Sequence, residues 1–181
     1  ASDMLRLILE AIPRIIGAAL LLGVGYLVSR FVVQILKEIL PGLVPTGATI
    51  TVHELLNHTI GLFDYWQDEA FFAALLEDPS RPFTPTQLIA FANAHPAAAQ
   101  GAFSYANTNF IVLGLIIEHV TGHSLGAELS ERVFDLLELR ATSFDNSPEV
   151  SGDRIHGYGL VGDPALVDLS GVNPSAAWAA G

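Results

Sequence analysis

Cysteine is absent from these 181 residues and lysine occurs once, as Lys37. The first absence excludes disulfides and thiolate chemistry, although it does not fix the compartment. The second excludes more. A serine activated by an amine one helical turn further on requires Ser-x-x-Lys, and the residue three before Lys37 is Gln34, so no such pair can be written. Charge is scarce as well, with 15% charged against 51% hydrophobic residues, an apolar balance that implies surface facing lipid or a partner. The net charge of −11 is unevenly spread: residues 1–40 hold four basic and three acidic side chains, leaving four basic against sixteen acidic afterwards. A surface that acidic argues against nucleic acid as a partner. The length suits one domain with a real core, or a smaller domain with an appendage.

The appendage is residues 1–40. From Ile15 to Ser29 nothing is charged, with Arg14 and Arg30 at the two ends. Fifteen helical residues span only ~22 Å of a ~30 Å hydrocarbon core, a shortfall that flanking arginines extend by snorkelling. Pro13 suits a first helical turn and Pro41-Gly42 a stop, which predicts one helix of roughly 27 residues. Its later half is amphipathic, with Arg30, Gln34, Lys37 and Glu38 on one face. Ala19 and Gly23 form a small-xxx-small pair suited to helix packing in a bilayer. With its proline, its Gly23-Val24-Gly25 and its basic tail, the segment resembles the conserved transmembrane helix of mechanosensitive-channel-related proteins. Two readings stand: a membrane anchor in the cell envelope, or a helix covering an apolar face of the following domain. Asp3 and Glu10 spoil the basic leader of a signal peptide, and the basic residues are balanced across the apolar stretch, so charge gives no orientation.

Beyond a linker at 41–50, residues 51–144 read as helical. Thr51 and Glu54 form a capping box ahead of Leu55 and Leu56, and Gly61 brings that helix to an end. Asp68 starts a second helix burying Phe71, Phe72, Leu75 and Leu76; Thr84, Pro85 and Gln87 start a third with Leu88, Ile89 and Phe91 or Ala92 inward. A fourth, Asn109 to Val120, is apolar on nearly every face, which marks the central buried helix, stopped by Gly122. A fifth runs from Ser124 with Leu125, Leu129, Val133 and Leu136 in register. Residues 145–181 turn rich in Gly and Pro, including Gly157-Tyr158-Gly159 and Gly162-Asp163-Pro164, as loops and short strands do.

Three signatures occur in order. They are the run Ile50-Thr51-Val52-His53-Glu54-Leu55-Leu56-Asn57-His58-Thr59-Ile60-Gly61-Leu62, the loop Phe103-Ser104-Tyr105-Ala106-Asn107-Thr108-Asn109, and Leu113-Gly114-Leu115-Ile116-Ile117-Glu118-His119-Val120-Thr121-Gly122. Followed by Val133-Phe134-Asp135-Leu136-Leu137 and Thr142-Ser143-Phe144, they resemble the serine D-alanyl-D-alanine carboxypeptidase and class C β-lactamase family. The resemblance implies a mainly α architecture: the helical domain of a β-lactamase or penicillin-binding-type fold, without most of its α/β half, behind a long apolar helix. There are departures. Ile60 stands where the family has serine, and Ala99-Gln100-Gly101 replaces Pro-Gly. Its late Lys-Thr-Gly or His-x-Gly strand lies outside these residues, and Ala176–Gly181 resembles the opening of a small-residue strand leading onward, so the chain is expected to stop within a domain.

The resemblance also assigns roles. Tyr105 takes the position of the residue that moves a proton to and from the serine and the leaving group, and Asn107 that of the substrate-carbonyl contact. Read locally, Tyr105 is a half-buried aromatic and Asn107 a helix cap. No metal or other cofactor is implied. His53 and His58 are five apart, about 140° around a helix, while His119 and His123 have Gly122 between them and no third ligand, so surface or capping roles fit both pairs better. Ser104 has no lysine or His-Asp pair beside it and reads as a turn residue. The expected function is an incomplete serine hydrolase segment, silent without the serine and lysine, which holds idle catalytic residues. The alternatives are a hydrolase completed by another chain supplying the other half, and a membrane-anchored structural or self-associating protein.

Overall fold

In the computed structural model the described residues are 2–39, 50–145, 156–160 and 166–180. The helix stop expected at Pro41-Gly42, the linker and Gly162-Asp163-Pro164 lie outside them. The chain divides into two compact units, residues 1–39 and 40–181.

The first unit is a single helix, α1 (Ser2–Ile39), of 38 residues. It is longer than the 27 expected, and Pro13 lies inside it instead of in its first turn. The proline removes one backbone donor, but the preceding Met, Leu, Ile, Ala, Arg and Glu residues favour helix strongly enough to continue through it. Apolar side chains from Ile15 to Val28 are exposed, Leu21 and Leu22 each to 76%. The stretch Ile12–Glu38 is long and apolar enough to cross a membrane.

The second unit is built from α2 (Val52–Leu56), a 3₁₀ turn (Tyr65–Gln67), α3 (Glu69–Glu77), α4 (Pro85–Asn93), α5 (Asn107–Thr121), α6 (Leu125–Leu129), the hairpin β1 (Tyr158–Leu160) and β2 (Leu166–Asp168), and a second 3₁₀ turn (Pro174–Ala177). The capping boxes form as the sequence implies: Thr51 and Glu54 exchange bonds at the start of α2, Thr84 and Gln87 at the start of α4, where Pro85 occupies the first turn. Asp68 caps α3 by accepting the Phe71 N–H at 2.6 Å. Gly122 ends α5 in the left-handed region at φ 75°, a conformation without penalty only for glycine.

The core lies around α5. Ile111 and Val112 are fully buried, as are Leu55 of α2, Leu88 of α4 and Phe71 of α3. Phe71 is the hub of an aromatic cluster, with ring centroids 5.1 Å from Tyr65 and Trp66, 5.4 Å from Phe83 and 5.6 Å from Phe91. Burial of each such ring is worth ~1.5–3 kcal/mol. Phe72 and Leu76, expected inside, are exposed, because each lies about 100° around the helix from the inward Phe71 and Leu75. In the fifth helix Leu125 is buried but Val133 and Leu136 are exposed. The α-helix passes at Ser130–Phe134 into a π-type turn, whose extra residue rotates the register away from the core.

The tail differs from expectation. Residues 174–177 form a 3₁₀ turn instead of opening a strand, because Pro174 fits a helical first turn and Asn173 Oδ1 accepts the Ser175 N–H at 3.0 Å. The segment folds back onto the helices. Phe83 N–H donates to Ser175 Oγ (2.9 Å), the Tyr65 hydroxyl to Ala176 O (3.0 Å) and Asn173 N–H to Pro79 O (2.8 Å). Trp178 lies on α5 where Gly114 leaves room; a Cβ on Gly114 would stand 2.9 Å from the indole.

Candidate active site

The loop carrying Tyr105 is shaped by its neighbour in space, residues 58–65. Ala98 N–H donates to Gly61 O, Gly101 N–H to Thr59 O and Ser104 N–H to His58 O, each at 2.8 Å. These rungs hold the two segments side by side. Gly61 is required there: it has φ 80°, and a Cβ would stand 2.4 Å from Ala98 O. Ser104 is thus a structural loop residue, bonded through its backbone.

At the end of this ladder α5 begins without a cap of its own. Its N-cap residue is Ala106, which has no side-chain acceptor. The orphan donors are satisfied from the neighbouring segment. His58 Nδ1 accepts the Ala106 N–H at 3.3 Å, and Asp64 Oδ1 accepts the Asn107 N–H at 3.2 Å. Thr108 Oγ1 donates to Phe63 O (2.6 Å) and accepts the Tyr65 N–H (3.2 Å). Asn109 Nδ2 reaches Leu55 O (2.9 Å) and His58 Nδ1 (3.1 Å). His58 is therefore buried, not a surface residue, and what it caps is a helix 48 residues further on. Since Nδ1 accepts, its ring proton is on Nε2.

Tyr105 and Asn107 are brought together. Tyr105 is 49% exposed, its ring lies 4.5 Å from that of His58, and its hydroxyl donates to Asn107 Oδ1 at 3.1 Å. Asn107 Nδ2 lies 3.2 Å from Asp64 Oδ1 and 3.1 Å from Oδ2. Asn107 is thus the first helical residue and not the cap that a local reading gives it; its side chain turns to Asp64 because the vacant cap position draws a carboxylate there. Sequence reasoning gave His58 a surface or capping role without saying what it caps, and it passed over Asp64. The available signal was Ala106 itself, a helix start with no acceptor of its own, which obliges another segment to provide one.

Next to this pair, burial pushes the pKa of the Tyr65 hydroxyl well above its ordinary value, and the nearby Asp64 charge adds to the effect. Tyr65 is locked as a structural phenol, bonded to Ala176 O. Burial likewise opposes ionisation of Asp68, but the His95 and Phe71 hydrogen bonds outweigh it and hold the carboxyl below its usual range. The remaining histidines do not converge. His53 is exposed on α2, and His123 Nδ1 pairs with Glu128 Oε1 at 2.9 Å. Among the described residues no three His, Asp or Glu side chains are placed to hold a metal ion.

Residues 28–181 match the Beta-lactamase family model. The chain belongs to the beta-lactamase family of serine hydrolases. Residues 1–43 also match the conserved transmembrane helix of mechanosensitive ion channels, so the two matches overlap at 28–43. The beta-lactamase part is similar to the D-aminopeptidase of Brucella anthropi, 32% identical over 118 residues that make up 60% of this chain and 22% of that protein. Among solved structures it resembles a D-stereospecific amidohydrolase from Streptomyces sp., at 38% identity and a TM-score of 0.66 over 80% of this chain and 46% of the other. It also resembles the D-amino acid amidase of Ochrobactrum anthropi SV3 complexed with D-phenylalanine, at 26% identity and a TM-score of 0.62 over 81% and 43%. The chain spans about a fifth of the curated relative's length and under half of each solved one.

Proposed function

We propose that residues 51–144 carry the tyrosine–asparagine half of a serine hydrolase site for D-amino-acid amides or peptides, and that residues 1–40 anchor it to a membrane in the cell envelope. In this reading Tyr105 moves the proton between a nucleophilic serine and the leaving amine, and Asn107 contacts the substrate's carbonyl. The observation that carries it is the exposed Tyr105 hydroxyl bonded to Asn107 Oδ1, with both residues held by the start of the central helix. The D-configured substrate class comes from the relatives, whose names record D-aminopeptidase and D-amino acid amidase activities. These 181 residues contain no Ser-x-x-Lys, so they form no acyl-enzyme unaided, and turnover requires serine and lysine from a further polypeptide segment.

Two measurements test this. Intact-protein mass after incubation with a reactive β-lactam stays unchanged; a stoichiometric acyl adduct on any serine overturns the divided site. Titration of the isotope-labelled chain with D-phenylalanine amide shifts the Tyr105 and Asn107 resonances, at an affinity on the order of millimolar as befits half a site, and L-phenylalanine amide shifts them less. Equal response to both enantiomers, or none to either, sinks the substrate assignment.

A second reading, attachment through α1 without any hydrolytic role, is favoured by the exposed leucines of that helix. In that case Tyr105 and Asn107 are idle, and self-association through α1 is the property under selection.

A further inference from the structure

We propose that Asp64 is the positioning residue of this site, fixing which end of the Asn107 amide meets Tyr105. The proposal rests on the reading of Tyr105 and Asn107 as the substrate-facing pair, and it begins from chemistry at the buried end. Asp64 is buried and comes from the segment before the 3₁₀ turn, 43 residues away from Asn107 in the chain. Its Oδ1 accepts backbone N–H groups from both Trp66 and Asn107, each at 3.2 Å. Those bonds fix the carboxylate in place. Both of its oxygens then lie 3.1–3.2 Å from one side-chain atom of Asn107.

A carboxylate accepts hydrogen bonds and donates none. The Asn107 atom facing it must therefore be Nδ2, because the reverse orientation would set an amide oxygen against two carboxylate oxygens. Oδ1 is left facing Tyr105, and it takes the phenolic proton at 3.1 Å. The consequence reaches the substrate side of the loop. With its own proton directed to Asn107, the Tyr105 oxygen turns its lone pairs to the substrate side as hydrogen-bond acceptors, and it takes up a proton there only as the phenolate. One N–H of Asn107 directed between the two Asp64 oxygens satisfies both distances, so the second N–H is available for a carbonyl. Asp64 is buried and reaches the exposed Tyr105 through Asn107.

Substitution separates orienting from capping, since asparagine caps a helix about as well as aspartate but presents both a donor and an acceptor. In the full chain in detergent micelles, Asp64→Asn melts within about 2 °C of the parent. Its Asn107 side-chain amide pair loses the shift and the slow solvent exchange seen in the parent, and the response to D-phenylalanine amide weakens about tenfold, equivalent to ~1.4 kcal/mol. Asp64→Ala loses the cap too and melts lower. Should Asp64→Ala fail to fold, Asp64→Asn decides alone. An Asn107 amide pair with the same shift and exchange in Asp64→Asn as in the parent overturns the proposal and leaves Asp64 a cap. If the parent itself does not respond to D-phenylalanine amide, the substrate reading fails, while the amide comparison still decides the role of Asp64.

Discussion

Helices α1 and α5 are both rich in Leu, Ile, Val and Gly, yet the middle of α1 and the body of α5 meet opposite surroundings, although Val32, Ile35 and Leu36 near the end of α1 are buried. In α1 the apolar side chains from Ile15 to Val28 are exposed; in α5 Ile111, Val112 and Ile116 are buried. Both ends of α5 carry polar chemistry. The start of α5 is held by His58, Asp64 and Thr108, and its last turn by Gly122 and the Glu118 carbonyl. Apolar composition thus specifies a need for a nonaqueous surround, and in α5 hydrogen bonds at both ends accompany a surround made of protein.

The strongest way to break this comparison is to remove α1. Deleting residues 1–39 is expected to convert a chain that needs detergent into one that sediments as a soluble, still helical monomer, because an exposed apolar surface of that extent drives association. A full-length chain that is monomeric without detergent, or a truncated one that aggregates, would show that α1 covers the second unit instead.

The next test acts on the other helix. Gly114→Ala places a methyl 2.9 Å from Trp178 and should destabilise by ~1–3 kcal/mol through overpacking. Combining it with Trp178→Leu should recover part of that loss in denaturant midpoints; strict additivity would mean that the tail does not pack on α5 in solution.

A smaller effect is expected from the clasp between α3 and the turn after α4, where His95 Nε2 lies 2.7 Å from Asp68 Oδ2. Asp68 is held below the usual carboxylate range. Its contribution is therefore present above the unfolded value of about 3.9 and is lost as pH falls through the lower folded value. His95→Gln should flatten the loss of stability below about pH 4 and cost ~1 kcal/mol at neutral pH; an unchanged acid limb would remove Asp68 from the account.

Smallest of all is Tyr105→Phe, with an expected change below ~0.5 kcal/mol, since the residue is half exposed and its hydroxyl, among the described residues, bonds Asn107 Oδ1. A melting loss above ~2 kcal/mol would make that hydroxyl a structural partner and end the reading of this loop as substrate-facing.

Legibility in the sequence followed the range of the interaction. The capping boxes at Thr51–Glu54 and Thr84–Gln87, the Asp68 cap and the Gly122 stop depend on residues within four positions, and each was readable as a local pattern. The pairing of Tyr105 with Asn107 came from family resemblance at a spacing of two. Asp64 and His58 act 43 and 48 residues away from the groups they bind, so nothing in their own surroundings announces them. The exposure of Phe72, Leu76, Val133 and Leu136 escaped for a different reason. An apolar pattern marks that a helix has an inner face, but a π-type turn such as Ser130–Phe134 changes which residues remain on it.

The Gly114–Trp178 contact also gives the molecule a built-in optical probe. The chain has two tryptophans, Trp66 in the aromatic cluster around Phe71 and Trp178 buried on α5. In a Trp66→Phe background, emission reports the tail alone. A red shift in that emission that precedes the loss of far-ultraviolet helicity would mark the tail as a separately melting segment, detaching from a helical core that is still intact.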